Sequence, residues 1–206
     1  SLNESSLTAP NIWQFSLSKK EDAAALQKQI ALDEIQQLFV LRQPGSESEH
    51  ELLLMSLLSQ SELQLEMIQK PPFFLKSKQG ILLLGNADWL ASLQGLGHKR
   101  IYTVANAINE QHAPPRGIKF CDVPVLYFAN WPDVMQAYQQ APVNMSYQRL
   151  IAFGGDAWQI TQYYLNNKKI RNIEFQGRTG MIRVSDQGIQ RTPSCFQQSA
   201  KGLKAL

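Results

Sequence analysis

The sequence predicts an α/β fold, in which a parallel sheet is flanked by helices and a β-hairpin follows near the C-terminus. Over the first half of the chain, short apolar runs typical of buried parallel strands alternate with amphipathic helical patterns. This alternation is the pattern of right-handed β-α-β crossovers. The last third shows a long helical pattern and then a period-two alternation of apolar and polar residues about a glycine-containing turn, which predicts the hairpin.

Length and composition exclude several classes of protein. The chain has 206 residues, of which 44% are hydrophobic, and this is enough to bury a core. Its net charge is only +3 and the basic residues are scattered, which is too diffuse for a nucleic-acid interface. No apolar run approaches the roughly 20 residues needed to span a bilayer, and the first residues do not resemble a signal peptide. Because the chain does not begin with Met, we expect it to be a piece of a longer protein.

The first lobe is predicted to comprise residues 12–104, after a leader at residues 1–11. A short strand at NIWQFSLS precedes a helix whose start is marked by Ser18 and Glu21, which together form a capping box. The apolar residues that recur on one face of this helix are Ala23, Leu26, Ile30 and Ala31. A helix with such a face is suited to cover a sheet.

Four further apolar runs in this lobe are predicted strands, and two segments between them are predicted helices. The strands are QLFVL, ELQLEMI, GILLLG and RIYTVA, and the helices are EHELLLMSLLSQ and NADWLASLQGLG. Asn86 is the predicted N-cap of the second of these helices, and Gly95 or Gly97 is expected to close it. The short spacing between strands and helices predicts the parallel sheet.

Residues 105–206 are predicted to form a crossover segment, helices and the C-terminal hairpin, which complete or partly complete a companion lobe. After a polar loop, the segment IKFCDVPVLYF is expected to be extended. Pro124 confines this segment to a sheet edge or to a strand end, because proline lacks the backbone N–H of a central strand. Pro132 marks the first turn of the helix WPDVMQAYQQA.

The stretch YQRLIAFGGDAWQITQYYLNN predicts a long helix, in which Gly154 and Gly155 permit close backbone packing. The residues of this helix predicted to point inward are Trp158, Ile160, Tyr164 and Leu165. The alternating segment that follows turns at residues 186–188, as a hairpin does. Gly177 and Gly180 lie just before its first long strand, where a kink or a close backbone approach is expected.

The two cysteines, Cys121 and Cys195, match no metal or redox spacing. In a cytosolic protein they would be two inert, partly buried thiols. In an oxidising compartment a bridge between them would close a loop of about 75 residues and stabilise the fold by about 4 kcal/mol. The spacing alone is compatible with both states.

Six residues are candidate contacts for a partner or a ligand: Asp122, Trp131, Asp156, Trp158, Arg178 and Thr179. An aspartate at a strand end, such as Asp122, either contacts a ligand or caps a turn. Asp156 follows the glycine pair, where it either reaches a ligand or packs within the fold. A tryptophan is either a core residue or, when exposed, an anchor for a protein partner.

Three short matches resemble the motifs of penicillin-recognising serine enzymes, in the correct order. Ser16 and Lys19 fit S-x-x-K as nucleophile and base, and residues 164–166 and 178–180 stand where the second and third motifs would be. Ser18 is better explained as a helix N-cap, however, and each match is only two or three residues long. We therefore predict that the chain is not an enzyme and has no catalytic residue.

The sequence also lacks patterns that would hold a metal or a nucleotide. His50, His98 and His112 are far apart and have no second ligand at metal-binding spacing. Neither G-x-x-x-x-G-K-S/T nor G-x-G-x-x-G occurs. We expect no metal site, no cofactor and no nucleic-acid partner.

Four segments resemble, in order, one family of the type I periplasmic-binding-protein superfamily. They are PNIWQFSLSKKEDAA, GIKFCDVPVL, RLIAFGGDAWQI and FQGRTGMIRVSDQGIQR. The family is the LppC or YraM lipoproteins, which activate penicillin-binding proteins. Several strands that begin the first lobe of the family's domain have no counterpart here, so we expect an incomplete first lobe in a periplasmic-binding-protein-like fold.

The resemblance implies a function as well as a fold. It implies a periplasmic protein whose full-length form is anchored by lipid to the outer membrane, with no other membrane contact. It also implies a class A penicillin-binding protein, a bifunctional peptidoglycan synthase, as the partner that this domain binds and activates without covalent chemistry of its own. The alternative is a periplasmic protein that binds a small ligand such as an amino acid or a sugar, as other members of the superfamily do.

Overall fold

The computed structural model describes residues 14–46, 48–97, 100–128, 132–166, 172–185 and 188–206. The predicted leader, the first half of the predicted first strand, Trp131 and the tip of the hairpin lie outside these residues. In chain order the elements are α1 (Lys19–Leu32), β1 (Gln37–Arg42), α2 (Glu49–Ser59), β2 (Gln64–Ile68), β3 (Gln79–Leu84), α3 (Ala87–Ser92), β4 (Ile101–Thr103), β5 (Ile118–Asp122), α4 (Pro132–Gln140), α5 (Met145–Asn166), β6 (Ile173–Gln176), β7 (Met181–Ser185), β8 (Gly188–Thr192), β9 (Ser194–Ser199) and β10 (Gly202–Ala205).

The chain forms two compact units, which we describe separately. The parallel-sheet unit comprises Asp22–Asp122 and Cys195–Leu206, and the meander unit comprises Ser1–Glu21 and Val123–Ser194. Each unit is therefore built from two stretches of the chain.

The parallel-sheet unit contains a seven-stranded sheet with the order β10-β9-β5-β4-β3-β1-β2. The pairs β1–β2, β1–β3, β3–β4 and β4–β5 are parallel, and β9–β10 is antiparallel. Ile81, Leu82 and Leu83 of β3 are fully buried, as are Leu38 and Val40 of β1. The continuous apolar runs predicted a sheet of this kind, and that prediction is confirmed.

The last two strands pair with the sheet formed by the first half of the chain. Gly117, just before β5, donates its backbone N–H to the carbonyl of Gln198 in β9 at 2.7 Å. The predicted division at residue 104 assigned β5, β9 and β10 to the companion lobe, whereas hydrogen bonding places them in the seven-stranded sheet. Pro124 lies just after β5, at a strand end, and starts a short 3-10 turn.

The start of α1 has the predicted N-cap, but the strand predicted before it is not formed by residues 14–18. Residues 14–18 are not in a strand, which makes the described part of the predicted first strand wrong. The hydroxyl of Ser18 accepts a hydrogen bond from the backbone N–H of Lys20 at 3.2 Å, so Ser18 does act as the N-cap. The carboxylate of Glu21 accepts from the backbone N–H of Arg191 at 2.8 Å and thereby ties the start of α1 to β8.

The structure corrects the predictions for the C-terminal ends of α1 and α3 and confirms the predicted N-cap of α3. The predicted buried residues of α1 are buried except for Ala31, which is exposed in the last turn of the helix. Helix α3 begins after its predicted N-cap Asn86, whose side chain accepts from the N–H of Trp89 at 2.9 Å. It ends at Ser92, before the predicted glycines, because Leu93 is already extended.

The meander unit combines α4 and α5 with a three-stranded antiparallel sheet of the order β6-β7-β8. Strands β7 and β8 pair from Met181 opposite Thr192 to Ser185 opposite Gly188, which confirms the predicted hairpin. Its core contains Phe15, Ile160, Ile182 and Val184. The long helix predicted to contain Gly154 and Gly155 is α5.

Helix α5 has apolar residues on two faces. The residues predicted to face the core are only partly the ones that do. The buried residues are Ala152, Asp156 and Ile160, which are spaced by four. Ile160 was predicted correctly and Tyr164 packs partly buried against the same core, but Trp158 and Leu165 are 64% and 72% exposed. Periodicity identifies an apolar stripe but does not tell which of two stripes meets the core.

The glycine pair in α5 allows a direct test of the local packing. An added Cβ at Gly154 would meet nothing within 4 Å, whereas one at Gly155 would lie 2.7 Å from Cδ and Nε of Arg178. Gly154→Ala is therefore expected to stabilise the chain by about 1 kcal/mol through helix propensity. Gly155→Ala should lose that gain, because the Arg178 side chain must move. Urea unfolding of both variants checks this, and an equal gain in both would contradict it.

Candidate functional site

A buried carboxylate organises the meander unit. Asp156 is fully buried on the inner face of α5. Its oxygens accept hydrogen bonds from the backbone N–H of Arg178 at 2.8 Å and from the backbone N–H and hydroxyl of Thr179, both at 2.7 Å. A buried charge is tolerated when its oxygens are satisfied in this way. Asp156 therefore fixes the loop between β6 and β7 to α5.

The glycines on both sides of this loop are required by close contacts. An added Cβ at Gly177 would lie 2.7 Å from Oδ2 of Asp156. Gly180 has a φ of +140°, and an added Cβ there would lie 2.2 Å from the carbonyl oxygen of Thr192. This confirms the predicted close backbone approach at both positions. The G-R-T-G sequence is thus the set of residues that lets the loop lie against the carboxylate.

Arg178 connects this loop to other parts of the meander unit. Its carbonyl oxygen accepts from the backbone N–H of Val125 at 3.2 Å. Its guanidinium donates from Nε to Asp133 at 3.1 Å and lies with Nη1 3.6 Å from Asp156. Partial burial alone would raise the pKa of Asp133, but the hydrogen bond and the charge of Arg178 outweigh it and lower that pKa.

Two residues support the site in ways that the sequence did not predict: Arg191, and its partner Glu21, for which only a capping role was predicted. Arg191 is 3% exposed, and its guanidinium donates to the carbonyl oxygens of Thr179 and Ser18, both at 3.2 Å. Arg191 lies opposite the buried Ile182 in the β7–β8 register. The period-two pattern of β8 places Arg191 on the core face, and a charged residue at such a position signals a buried partner.

The opposite face of α5 is an exposed apolar surface, which we call the α5 stripe. It consists of Tyr147, Leu150, Ile151, Trp158 and Leu165, all of them exposed. The spacings of three, four and seven place these side chains on one side of the helix. Soluble proteins expose single apolar residues freely, but five on one side of a helix with an exposed Trp among them are typical of a binding surface.

The six predicted contact residues have different places in the structure. Asp156, Arg178 and Thr179 are brought together in a hydrogen-bonded network in which Asp156 and Thr179 are buried and Arg178 is partly buried. Trp158 is exposed on the α5 stripe. Asp122 belongs to the parallel-sheet unit, at the end of β5, and is 1% exposed, so it offers little surface to a partner. Trp131 lies outside the described residues.

The parallel-sheet unit contains a cavity of about 850 Å³. Its lining includes Gln37, Gln64 and Gln79, which begin β1, β2 and β3. The cavity therefore opens at the amino ends of the strands. Open α/β sheets bind ligands at the opposite ends, outside the carboxyl ends of the strands, so this position does not favour a small-ligand site.

Comparison with known proteins identifies the family. The model of the family described as "LppC putative lipoprotein" matches residues 93–199. The penicillin-binding protein activator LpoA of Haemophilus ducreyi is 32% identical over 127 residues, which cover 55% of this chain and 22% of the relative. The chain thus spans less than a quarter of the length of this curated relative.

Solved structures match nearly the whole chain. The LpoA (YraM) C-domain from Haemophilus influenzae, described as a regulator of PBP1A, aligns with a TM-score of 0.72 over 99% of this chain and 72% of that chain, at 16% identity. A Chromobacterium violaceum structure named for a branched-chain amino acid ABC transporter aligns with a TM-score of 0.69, at 16% identity, over 92% of this chain and 68% of that one. These matches confirm the predicted periplasmic-binding-protein-like fold.

Proposed function

Because this chain belongs to the LppC family of lipoproteins, we propose that it is a non-enzymatic domain that binds and activates a class A penicillin-binding protein. The curated relatives are named penicillin-binding protein activators, and the matching C-domain is described as a regulator of PBP1A. An activator of this kind acts by binding one conformation of the synthase more tightly than another, which shifts the population toward the active state.

The observation that carries this proposal is the α5 stripe. Trp158 is 64% exposed near the middle of a helix whose other face is held in the core by Asp156 and Ile160. The helix is thus fixed in place while it presents its apolar residues to solvent. A rigid aromatic anchor on a well-supported element is the usual centre of a protein interface, because little conformational entropy is lost on binding.

Catalysis by this chain has no support from the geometry. In the serine-enzyme interpretation, the Thr-Gly segment at residues 179–180 would hold the substrate carboxylate. The hydroxyl of Thr179 is instead fully buried and donates to Asp156. Ser18, within the S-x-x-K match, caps α1. Thr179, which would hold the substrate carboxylate, is therefore used to hold the loop between β6 and β7 against α5.

We also propose a periplasmic location, with a lipid anchor to the outer membrane in the full-length protein. Cys121 and Cys195 form a disulfide, and disulfides persist in oxidising compartments such as the bacterial periplasm. Within the described residues, no helix has the length and apolar character needed to cross a membrane. The lipoprotein family supports attachment through lipid.

The proposal predicts that Trp158→Ser weakens binding to the class A penicillin-binding protein encoded in the same genome. Loss of a central aromatic anchor costs about 2 kcal/mol or more, which corresponds to a roughly 30-fold higher Kd. Stimulation of cross-linking at a fixed subsaturating concentration should fall in parallel. Biolayer interferometry measures the first quantity, and the rate at which a fluorescent β-lactam labels the synthase measures the second.

Leu32→Ser is the matched control, because Leu32 is 67% exposed at the end of α1 and is not part of the α5 stripe. It should bind and stimulate as the unmodified chain does, and Trp158→Phe should retain most of the affinity. Equal losses in Leu32→Ser and Trp158→Ser would contradict the assignment of the α5 stripe. β-Lactam label on this chain that Ser16→Ala abolishes would make it an acyl-enzyme instead.

A further inference from the structure

The connection between β2 and β3 presents two aromatic rings to solvent. We call residues 70–78, with the sequence KPPFFLKSK, the Phe–Phe loop. Phe73 and Phe74 are 83% and 80% exposed, more than any other large apolar side chain in the described part of the chain. Their rings meet edge to face with centroids 4.7 Å apart. Two adjacent exposed phenylalanines are unfavourable in water, which makes a covering partner energetically worthwhile.

The loop is held firmly at its base. The carbonyl oxygen of Lys78 accepts from the backbone N–H groups of Gln36 and Gln37 at 2.8 and 3.2 Å. The backbone N–H of Lys76 donates to Oε1 of Gln79 at 2.8 Å, and the N–H of Gln79 donates back to the carbonyl of Lys76 at 3.2 Å. Hydrogen bonds to Gln36 and Gln37, at the start of β1, therefore position the base of the loop. The two rings are left exposed.

The Phe–Phe loop carries positive charge. The loop contains Lys70, Lys76 and Lys78, all exposed, and no acidic residue. The exposed Arg100 joins them, because its Nη1 donates to the carbonyl oxygen of Lys76 at 3.4 Å. An exposed apolar tip on a loop that carries three lysines, with Arg100 bonded to its backbone, is complementary to a surface that has negative charge outside and an apolar interior.

We propose that the Phe–Phe loop inserts Phe73 and Phe74 into the interfacial region of a membrane that contains anionic phospholipid, which replaces the expectation that the lipid anchor is the only membrane contact. The residue types favour lipid over a protein partner, since lysine is depleted from protein interface cores and their anchors are mostly Trp, Tyr and Arg. Aromatic residues with flanking lysines are typical of interfacial membrane binding. A lipoprotein works next to a membrane, where even a weak second contact is strengthened by its high effective concentration.

The test is binding of the 206-residue chain to vesicles, measured by co-sedimentation at low ionic strength. We expect binding to phosphatidylcholine vesicles that contain about 30% phosphatidylglycerol and much weaker binding to pure phosphatidylcholine. Phe73→Ser/Phe74→Ser should reduce the partition coefficient more than about tenfold, because the apolar contribution is lost. Lys70→Gln/Lys76→Gln/Lys78→Gln should reduce it by a similar factor, since each lysine near an anionic surface adds several-fold in affinity.

Two control variants make the same kinds of substitution, Lys→Gln and apolar residue→Ser, outside the Phe–Phe loop. Lys201→Gln/Lys204→Gln removes exposed charge from the region of β10, and Leu52→Ser removes an exposed apolar residue from α2. Both should bind as the unmodified chain does. In a Phe74→Trp variant, brominated lipids should quench the added fluorescence, which reports insertion directly.

Three results would overturn the proposal. The first is equal binding of the unmodified chain to charged and uncharged vesicles, or no binding to either. The second is unchanged binding when both phenylalanines are replaced, since that would indicate surface adsorption by the lysines alone. The third is a dimer, detected by light scattering, that the phenylalanine substitutions abolish while vesicle binding is absent, because the rings would then contact a second copy of the chain.

Discussion

Asp156→Ala is expected to lower the free energy of unfolding of the meander unit by about 4 kcal/mol. The substitution removes the acceptor of three short hydrogen bonds and leaves their donors, in Arg178 and Thr179, buried without it. Each unsatisfied buried donor costs about 1–3 kcal/mol, and partial relaxation of the loop should recover some of that. The guanidinium of Arg178 also loses the buried carboxylate that lies 3.6 Å from its Nη1.

Urea unfolding followed by circular dichroism measures this loss, and amide hydrogen exchange at residues 177–180 shows whether the loop is released first. Asp156→Asn should lose less, because its amide oxygen still accepts part of the network. Asp133→Ala is the matched control, since Asp133 binds the same Arg178 but its side chain is 57% exposed, and an exposed ion pair contributes less than about 1 kcal/mol. A loss below 1 kcal/mol in Asp156→Ala would show that the loop does not depend on the carboxylate.

Local signals in the sequence predicted the elements of the parallel-sheet unit well. The run that became β3 is apolar at nearly every position, and only a strand buried on both faces requires that pattern. Asn86 was recognised as an N-cap because a side-chain acceptor at a helix start satisfies a free N–H, and the structure shows that bond. These features depend on residues that are neighbours in the chain.

Long-range pairing was not predictable from the same signals. The bonds between Arg191 and Glu21 join residues 170 positions apart, and Cys121 of β5 and Cys195 of β9 are 74 positions apart. Local patterns give the type of an element but not its partner. Helix α5 has apolar residues on two faces, and the sequence pattern does not tell which face is buried. Trp158 was therefore predicted to point inward, although it is exposed. Its second predicted role, as a contact for a partner, stays a prediction.

The disulfide is the other place where a large effect on stability is expected. Cys121 of β5 and Cys195 of β9 are 74 positions apart in sequence, and their Cα atoms lie 3.9 Å apart in neighbouring strands. Opening this loop by Cys121→Ser/Cys195→Ser should lower the free energy of unfolding by about 4 kcal/mol, because the unfolded chain regains the conformational entropy that the bridge removed. Sequence alone left the bridged and reduced states open, since only the fold brings the two cysteines together.

Urea unfolding with and without reductant distinguishes the entropic contribution from packing. The reduced natural chain and the double-serine variant should unfold at a similar urea concentration, well below that of the oxidised chain, and reductant should not affect the variant. Cys121 is 2% exposed, so a double-alanine variant, which adds no buried hydroxyl, controls for the polarity of serine. If the oxidised and reduced chains were equally stable, strands β5 and β9 would be held by hydrogen bonds and packing alone, and the bridge would contribute nothing to the fold.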